Sequence, residues 1–88
     1  MSTPQQRVHD ATLRLLELLE SGDPLSPEAI ELRAELAEAT AEAGQLEDAL
    51  YQVDQLFKDT RRVHGPDHET VARARRAASV IEEIAQRG

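Results

Sequence analysis

The stretch from Gly44 to Val71 limits this chain more than any other. It opens on Gly44-Gln45, runs through an amphipathic segment to Val63, and closes on His64-Gly65-Pro66-Asp67-His68. Glycine tolerates the left-handed backbone that reverses a helix in few residues, and proline cannot continue one. Between those stops Leu46, Ala49, Leu50, Val53, Leu56 and Phe57 recur at helical spacing, which predicts a helix over 46–63. A chain punctuated in this way folds as helices joined by tight turns.

The flanking segments carry the same signals. A first helix is predicted over 4–20, with Thr3 as N-cap, Pro4 at the first helical position and Gln6 completing a capping box. Val8, Ala11, Thr12, Leu15, Leu18 and Leu19 make one face, and Leu13 and Leu16 widen it past a single stripe. A helix apolar over so much of its girth is covered on two sides or leaves a sticky face, so Leu13 and Leu16 mark a candidate self-association surface. Gly22 ends it, and Gly22-Asp23-Pro24-Leu25-Ser26-Pro27 reads as a connector. A helix over 27–43 follows, with Ser26 as N-cap and Gly44 closing it. Ile30, Ala34, Ala37 and Ala41 line one face, Leu32, Leu36, Ala39 and Ala43 a second, and Glu28, Glu31, Glu35, Glu38 and Glu42 form an acidic stripe. The last helix is predicted over 68–86, with Asp67 as N-cap and inward positions drawn from Val71, Ala74, Ala77, Ala78, Val80, Ile81, Ile84 and Ala85. The expectation is an all-α fold of four antiparallel helices in one domain, 1–88.

Composition narrows the function classes. With 88 residues the chain has room for one small core, and with Tyr51 and Phe57 its only aromatics that core is Leu, Val, Ile and Ala. Cysteine is absent, which excludes disulfides and thiolate metal sites and makes a reducing cytoplasm the expected location. The start of the chain lacks an apolar signal core, and no run is apolar enough to span a membrane. The net charge of −7 opposes a phosphate backbone, so nucleic acid is disfavoured as a partner. Residues 1–44 hold nine acids and three bases, and residues 45–88 hold eight acids and seven bases. No phosphate-binding glycine run and no nucleophile–histidine arrangement is present, so neither an enzyme nor a cofactor is expected.

An internal repeat is visible at an offset of 41 residues: Ile30 aligns with Val71, Leu36-Ala37 with Ala77-Ala78, and Glu42 with Glu83. The turns carry further pattern, in Ala43-Gly44-Gln45-Leu46-Glu47-Asp48-Ala49-Leu50 and in Arg62-Val63-His64-Gly65-Pro66-Asp67-His68-Glu69-Thr70-Val71. On these motifs residues 27–85 resemble the tetratricopeptide repeat, in the variety found in kinesin light chains and actinobacterial regulators; the first helix matches by position only. The resemblance implies helix pairs stacked into a short right-handed superhelix with a concave face. Where that variety usually places an asparagine pair, this chain has Ala34-Glu35 and Arg75-Arg76.

The function implied is a non-enzymatic protein–protein adaptor, docking an unidentified partner helix or peptide on the side made by the second and fourth helices. Glu31, Glu35, Glu38, Arg73 and Arg76 are the candidate polar contacts; the competing expectation is that these charges are solvated or pair within the chain. The alternative function is a homodimerising four-helix unit that associates through the first helix. His64 and His68 bracket Gly65-Pro66-Asp67, but a turn explains them without a metal, and none is expected.

Overall fold

The computed structural model describes residues 3–23 and 25–87; Pro24 of the predicted connector lies outside them. The protein is all-α. Its helices are α1 (Pro4–Ser21), α2 (Pro27–Glu42), α3 (Leu46–His64) and α4 (Glu69–Arg87). Consecutive helices pack against each other, and α2 also packs along α4.

Most ends are fixed by the chemistry the sequence indicates. The Thr3 hydroxyl accepts from the Gln6 N–H at 3.1 Å, and the Gln6 side chain accepts from the Thr3 N–H at 3.0 Å. The Ser26 hydroxyl accepts from the Ala29 N–H at 3.2 Å. At the end of α2, Gly44 adopts φ 91°; its N–H donates to the Ala41 carbonyl and the Gln45 N–H to the Thr40 carbonyl. Those crossed bonds form a Schellman motif, which satisfies carbonyls the helix leaves open. Gly65 ends α3 at φ 88°.

One cap differs from expectation. Helix α4 begins at Glu69, not His68, and the capping side chain is that of His68, not Asp67. The His68 carbonyl accepts from the Val71 N–H at 3.0 Å, and His68 Nδ1 accepts from the Thr70 N–H at 3.2 Å. Asp67 is exposed in the turn, one residue too early to reach the first free N–H groups.

The core lies where α2, α3 and α4 meet. Ala34, Ala37, Ala49, Ala74 and Ala77 are fully buried there, with Ile30, Leu56 and Ile81 as the large side chains. Alanine at so many facing positions lets the helix backbones approach closely. The α2 face of Ile30, Ala34, Ala37 and Ala41 enters this core whole. Helix α1 lies outside it. Among the described residues α1 packs on α2 alone, and Ala11 is its one buried apolar residue.

Candidate functional site

Among the described residues, helices α1 and α4 flank α2 without touching each other, so a groove runs along α2 between them. Its position follows from the two faces of α1. Val8, Ala11, Leu15 and Leu18 turn toward α2, which leaves Arg7, Asp10, Arg14 and Glu17 along one flank at spacings of three and four. That flank borders the acidic stripe of α2. Arg7 pairs with Glu42, the start of α1 meeting the end of α2 as antiparallel packing requires.

The groove has two compartments. The first is a cleft of about 550 Å³, with Arg14, Glu17 and Leu18 of α1 facing Glu28, Glu31, Leu32 and Glu35 of α2. Its carboxylates outnumber its single guanidinium, and the half-buried Leu18 and Leu32 give it apolar walls. The second, of about 350 Å³, is lined by Arg7, Asp10 and Arg14 on one side, Glu35 and Glu38 on α2, and Arg73 from α4. Arg14 and Glu35 line both compartments and join them.

Arg73 is the central charge of the α2–α4 seam. Its Nε donates to Glu31 at 2.7 Å, while Nη1 and Nη2 donate to the two carboxylate oxygens of Glu38 at 2.8 and 3.1 Å. The Arg73 side chain is 11% exposed and that of Glu38 14%, so both depend on each other for solvation. The hydrogen bonds with Glu38, first, and with Glu31 raise the Arg73 guanidinium above its ordinary value, against burial, which lowers it. A raised arginine is charged at every working pH, so its contribution is lost only in strong alkali.

Of the five predicted contact residues, the structure therefore brings Glu31, Glu38 and Arg73 together as partners of one another. Glu35 is half-buried and lines the groove, and Arg76 is exposed on α4. Leu13 and Leu16 are 47% and 51% exposed, on the α1 flank away from the charged one. Sequence reasoning missed Arg14, Leu18 and Leu32 as groove residues. The signal was the polar flank Arg7-Asp10-Arg14-Glu17, whose spacing matches the α2 stripe.

His64 and His68 stack with ring centroids 4.6 Å apart. His64 Nε2 lies 2.8 Å from the Leu25 carbonyl, and its N–H donates there, tying the α1–α2 connector to the α3–α4 turn. Among the described residues no group of three or more His, Asp or Glu side chains is placed to hold a metal ion. No described helix is long and apolar enough to cross a membrane. Comparison with known proteins finds no family model, no curated relative and no solved structure that matches this chain.

Proposed function

We propose that this chain is a non-enzymatic protein–protein interaction module, a tetratricopeptide-like adaptor that docks a partner helix or peptide in the groove along α2. The observation that carries the proposal is the first compartment: a concave cleft with leucine walls and an excess of carboxylates, open to solvent between two helices. Such a site suits a partner segment that presents arginine or lysine beside an apolar residue. Two further observations support the repeat-like reading. Helices α2 and α4 lie side by side in the same sense, and the Arg73–Glu31 pair spans 42 residues, close to the repeat offset. A reducing cytoplasm is the proposed location, on the absence of cysteine.

A cationic amphipathic helical peptide, titrated by calorimetry, tests the proposal. Binding is expected for the cationic peptide and not for its acidic counterpart, with Glu35→Lys weakening it about tenfold or more. A Glu35→Lys protein that binds the peptide as the parent does would overturn the groove assignment.

A second reading, self-association through α1, is favoured by the exposure of Leu13, Leu16 and Leu19 on one helix.

A further inference from the structure

The leucine flank of α1 has a counterpart elsewhere on the same chain. Leu13, Leu16 and Leu19 are between 43% and 51% exposed, and Glu20 stands among them at helical spacing. Across the molecule, the outer seam of α3 and α4 carries Leu50, 48% exposed, and the half-buried Phe57 one heptad further on. Phe57 lies between two guanidiniums, with Arg61 5.4 Å and Arg75 5.7 Å from its ring centroid. This seam does not face α1: on α3 the residues beside α1 are Tyr51, Gln52 and Gln55, around the helix from Phe57 and Arg61.

One chain thus exposes an apolar strip that carries a carboxylate and an apolar patch edged by arginines. We propose that these two surfaces bind each other between copies, α1 of one molecule lying along the α3–α4 seam of the next. The occupant of each surface is a second copy, because both surfaces are apolar and their bordering charges are opposite, Glu20 on α1 and Arg61 with Arg75 beside Phe57. The two surfaces differ, so the contact is heterologous and does not close at two copies by symmetry. The inference rests on the self-association reading and adds to it the second surface and the head-to-tail geometry.

Light scattering after size exclusion tests it across a concentration series, with Glu20→Arg and Arg75→Glu variants. The parent is expected to grow past a dimer as concentration rises. Each variant alone should associate about tenfold or more weakly. The decisive sample is their equimolar mixture. Each variant keeps one native surface and the two reversed charges complement each other, so the mixture should regain the association that each variant alone has lost, which also shows that both variants are folded. A dimer abolished by Glu20→Arg but untouched by Arg75→Glu would overturn head-to-tail assembly and leave association through α1 standing. A parent that stays monomeric throughout would overturn both.

Discussion

The two sides of α2 are built on different terms. Toward α3 and α4 it presents alanine and isoleucine that are closed off entirely, with the Arg73–Glu38 pair sealed over the α2–α4 line. Toward α1 it meets half-buried leucines, and the ion pair there, Arg7 with Glu42, has side chains 43% and 36% exposed. The lesson is that one helix can be sealed into an interior on one side and line an open groove on the other. Two helices, α3 and α4, enclose the first side; a single neighbour lies on the second and leaves a groove beside itself.

Equal truncations on the two sides should separate them most. Ile81→Ala removes a fully buried side chain and is expected to cost about 3–4 kcal/mol, whereas Leu15→Ala, at a half-buried position, should cost about 1 kcal/mol in urea denaturation. Equal losses would mean that the α1 side is as closed as the other. The ion pairs come next. Arg73→Met should cost about 2–3 kcal/mol by leaving Glu38 without its partner, and Glu38→Met in the same chain should recover most of that. Arg7→Ala should cost less than about 0.5 kcal/mol, since water already solvates both groups. The smallest contrast lies in the connectors. Gly44→Ala should cost about 1 kcal/mol for its positive φ, although a Cβ there meets open space. Gly22→Ala, at φ −159°, should fall within about 0.5 kcal/mol of neutral, because any residue adopts that backbone. A Gly22→Ala cost as large as that of Gly44→Ala would show the α1–α2 connector to be under a constraint its backbone does not reveal.

The helices were open to sequence reasoning because their signals are local. Thr3 with Gln6, Ser26, Gly44 and Gly65 each act on neighbours within a few residues, and every predicted boundary lies within one residue of the observed one. The exchange of Asp67 for His68 as the α4 cap came from the turn, whose stacked histidines place an imidazole nitrogen where a carboxylate was expected. The groove was harder to foresee. Spacing showed the acidic stripe of α2 and the charged flank of α1, but which flank of α1 borders the stripe depends on how α1 rolls against α2. That roll is set by Val8, Ala11, Leu15 and Leu18 together, and the broad leucine girth offered other choices. The Arg73 clamp was visible only as one of two fates for the same charges. Distance decided between them.

The alanine interior carries a consequence for how this chain can drift. In most cores a random change deletes atoms and opens a void. At Ala34, Ala37, Ala49, Ala74 and Ala77 nearly every replacement adds atoms to a space already full. Tolerance here is one-sided, and a larger side chain at any of these positions must push neighbouring helices apart.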